Sequence, residues 1–377
     1  MILTPEQEMI RDSVRAFARE RLAPHAAQWD RESMFPAEAL RGLGGMGLFG
    51  IAVAEASGGA GMNYVALALA MEEIAAGDAA TSTIVAVNNL VAGILNGYAS
   101  AEQKQVFLQP LASGQQHGCF CLTEPHAGSD ASAIRTTARR EGGQWVLNGV
   151  KQFITSGKNA TVAIVFAVTD KAAGKKGLSA FIVPTSAPGY VVAHIEDKLG
   201  QRASDTAQIA LENCRVPAEN LLGAEGGGYR IALSNLEGGR ISVAAQAVGI
   251  ARSAFDAALK YARERTTFGK PVIEHQAANF RLADMATRIE VARQMVWHAA
   301  CLRDAGLPCL KEASMAKLFA SEMAEQVCSD AIQIHGGYGY VTDFPVERYY
   351  RDARVCQIYE GASDIQRLLI GRTIAAE

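Results

Sequence analysis

Tyr359-Glu360-Gly361 places one carboxylate between an aromatic ring and a glycine, after the short mixed run Arg354-Val355-Cys356-Gln357-Ile358. Withdrawing a carboxylate from water penalises its ionised form and lifts its pKa toward neutrality, where it can take and return protons. Glycine beside it lets another molecule approach the backbone closely. The chemistry suggested is that of a general base, although helix ends and turns produce the same triplet. A second stretch, Phe120-Cys121-Leu122-Thr123-Glu124-Pro125-His126-Ala127-Gly128-Ser129-Asp130, offers hydroxyls and backbone amides at a strand end. Such groups donate to a heteroaromatic edge or a phosphate, or simply make a polar turn. In Tyr261 to Pro271, Arg263 and Arg265 stand among aromatics, as an anion site or a solvated helix end. His117, Cys119 and Cys121 alternate along a strand-like run, but no paired spacing supplies the further ligands that zinc needs. Gly42-Leu43-Gly44-Gly45-Met46-Gly47 formally matches a dinucleotide fingerprint; it follows a helix instead of joining a strand to one, and is read as a loop.

These groups need a scaffold, and the bulk numbers allow a large one. A chain of 377 residues can build two or three packed layers or domains. With 49% hydrophobic and 20% charged residues it is globular in composition. A net charge of -3 without a long basic run argues against nucleic acid, yet leaves an anionic substrate open because local patches can oppose the global sign. Seven scattered cysteines with no Cys-x-x-Cys pair suit free thiols in a reducing compartment. The start, Met1 to Glu6, has neither signal-peptide nor transit-peptide character, and no uninterrupted apolar segment is long enough to span a bilayer. A cytoplasmic protein without membrane insertion is expected.

Thr4, Pro5 and Gln7 predict a capped helix start, and the pattern stays helical to about residue 115, broken by glycine loops. The period then changes. Asn148-Gly149 between strand-like runs predicts a hairpin turn, and residues 161–168, 178–183 and 206–211 read as strands. Their connections are too short for crossover helices, which predicts an antiparallel sheet or barrel. After Gly226-Gly227-Gly228 the helical period returns, with Leu282, Met285, Ile289, Ala292, Val296 and Ala299 forming the seam of a packed bundle. The expected division is a helical domain at 1–117, a β domain at 118–228 and a helical bundle at 229–377.

Residues 351–367, which contain the Tyr-Glu-Gly triplet, closely resemble the C-terminal signature of the acyl-CoA dehydrogenases, flavoenzymes that abstract a proton alpha to a thioester. The order of helices, β module and helical bundle also matches that family over essentially the whole length. The resemblance implies a multi-domain α+β fold: an N-terminal helical domain, a middle antiparallel β-barrel-like domain and a C-terminal four-helix-bundle-type domain. It further implies FAD as cofactor. Phe120, Leu122 and Thr123 would belong to the first flavin segment, Leu122 and Thr123 facing the isoalloxazine and Thr123 bonding its pyrimidine side. Ser129 would lie near both flavin and acyl-CoA. Phe153, Ile154 and Thr155 correspond to a second flavin segment, with Thr155 near N5 and Phe153 where many relatives carry tryptophan. Arg265 would pair with the diphosphate across a subunit interface, with Phe268 and Gln276 close by, and Gln333, Gly336 and Gly337 would form another cofactor loop. Glu237 and Arg240 match an acid and an arginine near the acyl-CoA, with Tyr359 and Gly361 also at the substrate. A subset of the family carries its catalytic glutamate at the position of Gly239; glycine cannot be a base, so Glu360 is the remaining candidate. Ala362 stands where many members have threonine, and Ser363 and Asp364 would contact the flavin.

The implied reaction converts an acyl-CoA to its trans-2-enoyl-CoA. Glu360 removes the pro-R alpha proton, the beta hydrogen leaves as hydride to the flavin, and electrons pass to an electron-transfer flavoprotein. An incomplete cofactor site in one subunit implies an obligate homo-oligomer, a tetramer built as a dimer of dimers. Val87-Asn88-Asn89, the Asn148-Gly149 pair and the C-terminal signature are similar to the short-chain and short-branched-chain members, pointing to butyryl-, isobutyryl- or 2-methylbutyryl-CoA. The rival readings are an acyl-CoA oxidase or another flavin enzyme on the same scaffold, and a non-catalytic flavin- or CoA-binding protein.

Overall fold

The computed structural model describes residues 2–377. The N-terminal helices are α1 (Pro5–Phe17), α2 (Ala26–Glu32), α3 (Ala37–Gly45), α4 (Tyr64–Gly77), α5 (Ala79–Tyr98), α6 (Ala101–Gln103) and α7 (Gln109–Ala112). The strands β1 (Gly118–Cys121), β2 (Thr137–Glu141), β3 (Gln144–Thr155), β4 (Val162–Val168), β5 (Leu178–Pro184), β6 (Tyr190–Ile195), β7 (Thr206–Pro217) and β8 (Leu221–Leu222) follow. The long helices then return as α8 (Gly228–Glu264), α9 (Gln276–Asp304), α10 (Leu310–His335), α11 (Val346–Arg354) and α12 (Ser363–Ala376). A small hairpin, β9 (Thr266–Thr267) and β10 (Lys270–Pro271), joins α8 to α9.

Local chemistry explains several boundaries. The Thr4 hydroxyl accepts from the Gln7 N–H while the Gln7 amide oxygen accepts from the Thr4 N–H, the capping box expected from sequence. All six predicted seam residues of α9, from Leu282 to Ala299, are buried. They belong to a core that also takes in α1, α3, α4, α8 and α10, so the N- and C-terminal helices share one interior. A second cluster packs α5 and α7 against one face of the sheet, and a third fills its other side.

The β module departs from expectation in three ways. The sheet is mixed and open, ordered β6-β7-β3-β2-β4-β5-β8, with β1 lying parallel on β4 and β2 touching β4 in parallel through Thr137 and Val168. A parallel β1–β4 pair needs no crossover helix here because the β2–β3 hairpin itself provides the long return. Asn148-Gly149 is not a hairpin turn. Both residues lie inside the continuous strand β3, at a register shift against β7, and the turn falls instead at Gly142-Gly143. A Cβ on Gly149 would meet the Thr136 Oγ1 at 2.4 Å, and the Asn148 Oδ1 accepts from the Asn213 N–H at 2.8 Å across the bulge. Strand β6 was not among the expected strands.

Two smaller corrections concern the helices. Gly42, Gly44 and Gly45 are the last turns of α3 and not a loop; a Cβ on Gly42 would strike the Phe17 ring at 2.7 Å, so glycine there permits close packing on α1. Among the described residues, α5 is long and apolar enough to cross a membrane, contrary to the length-based expectation, but 72% of its apolar window is buried inside the fold. It is the core helix against which the sheet rests.

Candidate active site

The residues between α11 and α12 include a tight turn just before α12. Glu360 has φ +54° and Gly361 φ +90°, two successive left-handed residues, the first without the freedom of glycine. Residues held this way persist only where neighbours over-determine them. The Gln366 side-chain amide donates to the Glu360 and Gly361 carbonyls at 3.1 and 2.8 Å, and the Lys317 Nζ donates to the Gly361 carbonyl at 2.7 Å.

The Glu360 carboxylate presented by this turn has its Oε2 buried without a hydrogen-bond partner. Burial pushes its pKa above the ordinary carboxylate value, while the charges of Arg240 and Lys317 pull the other way. Arg240, on α8, is only 5% exposed, and its Nε is likewise buried without a partner. One residue earlier on the same helix is Gly239, where a Cβ would stand 2.6 Å from the Glu360 Oε2. The two positions read from sequence as alternative seats of the base therefore face each other across one gap. Gly239→Ala is expected to keep its fold, since the atom struck is the end of a flexible side chain. It should displace the carboxylate and slow the chemistry by about 100-fold, the scale of a 1 Å misplacement. A thermal melt together with a rate measurement checks both halves.

Glu360 and Gly239 border a narrow cavity whose other walls are Thr83, Ala86, Val87, Leu90, Val243, Gln246 and Tyr359. Its walls are mostly small and apolar, and one side is closed by polar groups bonded to one another. The Tyr359 hydroxyl donates to the Gln246 Oε1, and the Gln246 Nε2 donates to Thr83 Oγ1 and Ser82 Oγ, each at 2.7 Å. Thr83 in turn donates to the Gln201 Oε1 at 2.5 Å. A larger cleft of about 390 Å³, lined by Lys158, Lys198, Arg202 and Asp205 among others, contains none of these groups. Of these two cavities, the one beside Glu360 pairs an apolar wall with a buried carboxylate. Gln246, Lys317 and Gln366 were missed in the sequence, which holds no motif for them.

The expected flavin segments come together without reference to Glu360. The Gln152 N–H donates to the Thr123 carbonyl at 2.9 Å, so the end of β1 lies alongside β3. Beneath them the buried Lys151 Nζ donates to Glu124 Oε1 at 2.8 Å and to the Leu122 carbonyl at 3.2 Å. Glu124 also accepts from the Arg135 and Thr136 N–H groups. Phe120 packs edge-on to Phe166, Leu122 and Ile154 are buried, and Ser129 is exposed. Phe153, at φ +59° and a second register shift of β3, turns its ring 63% into the open, and Thr155 pairs with Thr206 in the ladder.

A further patch forms at the far end of α8. The Arg265 guanidinium sits 5.7 Å from the Tyr338 ring centroid. Phe268, at the tip of the β9–β10 hairpin, is 98% exposed and meets His275 edge-on. Gln276 opens α9 and Gln333 lies in the last turn of α10; both are exposed. Gly336, with φ +60°, follows that helix, and Gly337 continues the turn. Tyr261 stacked on His335 at 4.3 Å ties these pieces into one surface. Glu237, expected together with Arg240 near the acyl-CoA, lies one turn before it on α8. Its carboxylate binds the Arg303 Nη1 at 2.8 Å, although its charge still reaches Arg240. Ala362 occupies the N-cap of α12 without a side-chain cap, Ser363 Oγ is buried without a partner, and Asp364 accepts from Arg367 at 3.2 Å.

An exposed ring at Phe153 and an orphaned hydroxyl at Ser363 fit a flat heteroaromatic group with a polar edge, and the separate patch of Phe268 and Arg265 fits an aromatic group with an anionic tail.

Comparison with known proteins agrees with this geometry. Family models for the acyl-CoA dehydrogenase N-terminal, middle and C-terminal domains match residues 4–115, 119–214 and 226–375. The chain is 50% identical over 369 residues to the human mitochondrial short-chain specific acyl-CoA dehydrogenase, covering 98% of this chain and 90% of that protein. It superposes on butyryl-CoA dehydrogenase from Megasphaera elsdenii with a TM-score of 0.97 at 40% identity, covering 100% of this chain and 99% of the other. A chain from the structure described as the electron transferring flavoprotein of Acidaminococcus fermentans superposes with a TM-score of 0.99 at 45% identity, with complete coverage of both. With the fold, the buried carboxylate and these matches in agreement along its length, the chain belongs to the acyl-CoA dehydrogenase family.

Proposed function

We propose that this chain is an FAD-dependent acyl-CoA dehydrogenase that oxidises a short or short-branched acyl-CoA to its trans-2-enoyl-CoA and passes the electrons to an electron-transfer flavoprotein. The observation that carries the reading is the orphaned Glu360 carboxylate on a narrow apolar cavity, opposite a glycine that leaves it room. FAD, when bound, supplies the two-electron acceptor for the beta hydride. Phe120, Leu122, Thr123, Ser129, Phe153, Ile154, Thr155, Ala362, Ser363 and Asp364 are the residues of this chain that would hold it.

Glu360 takes the alpha proton. Its orphaned oxygen needs no prior bond to be broken, and its raised proton affinity narrows the gap to a weakly acidic carbon. The backbone N–H of Glu360 stabilises the developing enolate, and one such donor is worth about 3 to 4 kcal/mol. Ser129, Glu237, Arg240, Tyr359 and Gly361 border the substrate. The hydrogen-bonded group Thr83, Gln246 and Tyr359 closes the cavity to long acyl chains, which favours the short substrates. Arg265, Phe268, Gln276, Gln333, Gly336 and Gly337 serve the FAD of a neighbouring subunit in a homotetramer arranged as a dimer of dimers. The exposure of Phe268 in the single chain supports that assignment. The domain divisions at 117/118 and 228/229, and a cytoplasmic location, belong to the same reading; the matched spans 4–115, 119–214 and 226–375 support the divisions.

Anaerobic titration of the purified protein with butyryl-, isobutyryl-, 2-methylbutyryl- and octanoyl-CoA tests it. Bleaching of the oxidised flavin band by a short acyl-CoA, and little by octanoyl-CoA, is the expected result. A bound flavin that none of them bleaches would overturn the substrate reading, and rapid reoxidation by oxygen would point to an oxidase.

A further inference from the structure

Lys317 is a lysine where the fold has every reason to place an apolar residue. It is 0% exposed, in the middle of α10, with Ala313, Ala316, Ala320 and Ala324 buried around it. Burying an ammonium is costly unless it is paired and bonded, yet its hydrogen bond goes to a backbone carbonyl, that of Gly361 at 2.7 Å. That carbonyl belongs to the residue after the proposed base, in a turn whose two central residues are both left-handed. The charges that act on Lys317 come from Glu360, from Arg240 on α8 and from Glu322 on its own helix; the nearby Cys356 thiol, pushed up to about 12 by burial, is neutral. Arg240 and Lys317 are the two cations that act on Glu360.

We propose that Lys317 is a positioning residue for Glu360, fastening the turn through the Gly361 carbonyl while keeping a positive charge beside the carboxylate. The inference rests on the reading of Glu360 as the base. Gln366 bonds the same Gly361 carbonyl, and that of Glu360 as well, and can hold the turn's shape without charge, so the contribution that only Lys317 makes is electrostatic. Burial lowers the Lys317 pKa to about 8, which leaves it charged at neutral pH. A nearby cation favours the ionised carboxylate, the form that accepts a proton, and shifts such a group's pKa by about 1 to 3 units.

The test uses Lys317→Met, which keeps the apolar stem, and Lys317→Gln, which keeps a neutral donor, both as flavin-loaded holoenzymes. Butyryl-CoA-driven flavin bleaching is followed in single turnovers from acid to neutral pH, beside a thermal melt. Both variants are expected to retain flavin and to shift the acid limb of the rate profile upward by about one unit or more, because the base then ionises at higher pH. The bleaching rate at acid pH should fall by about tenfold or more, the counterpart of that one-unit shift. An acid limb unmoved in either variant would overturn the proposal. Failure of both variants to fold with flavin would also overturn it, by making the lysine a structural residue. Glu360→Gln run in parallel separates the two readings. If that variant bleaches rapidly, the base assignment has failed; if it is inert and the limb has not moved, only the role of Lys317 has.

Discussion

Glu360→Gln is expected to bind flavin and acyl-CoA and to reduce its flavin about 10²- to 10⁴-fold more slowly, the range a positioned base contributes. The amide is nearly the same shape, so it fits the gap above Gly239 and leaves the turn bonded through Gln366 and Lys317. What disappears is a group able to accept a proton. The direction of the wild-type pH dependence follows from the same environment. Burial raises the Glu360 pKa, and the group works only when ionised, so the rate climbs as pH rises through that raised value and falls below it. Anaerobic stopped-flow bleaching measures both. A glutamine variant that bleaches at the wild-type rate would remove Glu360 from the chemistry.

Glu124→Ala should have the largest effect on stability, a loss of about 3 to 5 kcal/mol, because it leaves the fully buried Lys151 ammonium without its counter-charge. The same change frees the Arg135 and Thr136 N–H groups that Glu124 now accepts. Burial alone would raise the Glu124 pKa, but the Lys151 charge and these hydrogen bonds hold it below the usual carboxylate range. A depressed folded-state pKa adds stability that is complete above the unfolded carboxylate's pKa and is lost as pH falls through the folded one. The pair lies under the Thr123–Gln152 contact, so flavin content should fall together with melting temperature. A chemical denaturation curve for Glu124→Ala within about 1 kcal/mol of wild type would contradict this account, since it would place the loss among ordinary surface effects.

Much of the scaffold could be read from residues alone. The capping box at Thr4 and the α9 seam from Leu282 to Ala299 appear where periodicity and capping chemistry put them, because both are local patterns. The Asn148-Gly149 turn failed for the complementary reason. An Asn-Gly pair permits a hairpin, but here β3 pairs with β7 on both sides of it, and the pair is absorbed as a bulge. The open mixed sheet was hidden likewise, since which strand lies beside β1 depends on partners more than forty residues away.

The candidate site divides in the same way. The Tyr359-Glu360-Gly361 triplet offered a candidate base by residue type, while its choice over the position of Gly239 came from the likeness to the family and not from spacing. Lys317 had a faint signal, a charge on an otherwise apolar helical stripe, which periodicity marks as odd without saying what it touches. Gln246 and Gln366 had none, because a glutamine's meaning lies in what it bonds. The sequence by itself determined that a carboxylate able to take a proton stands between Tyr359 and Gly361. Tertiary structure alone decided how hard that group holds one, because its burial and the charges of Arg240 on α8 and Lys317 on α10 come from elements distant in the chain and brought together only by packing.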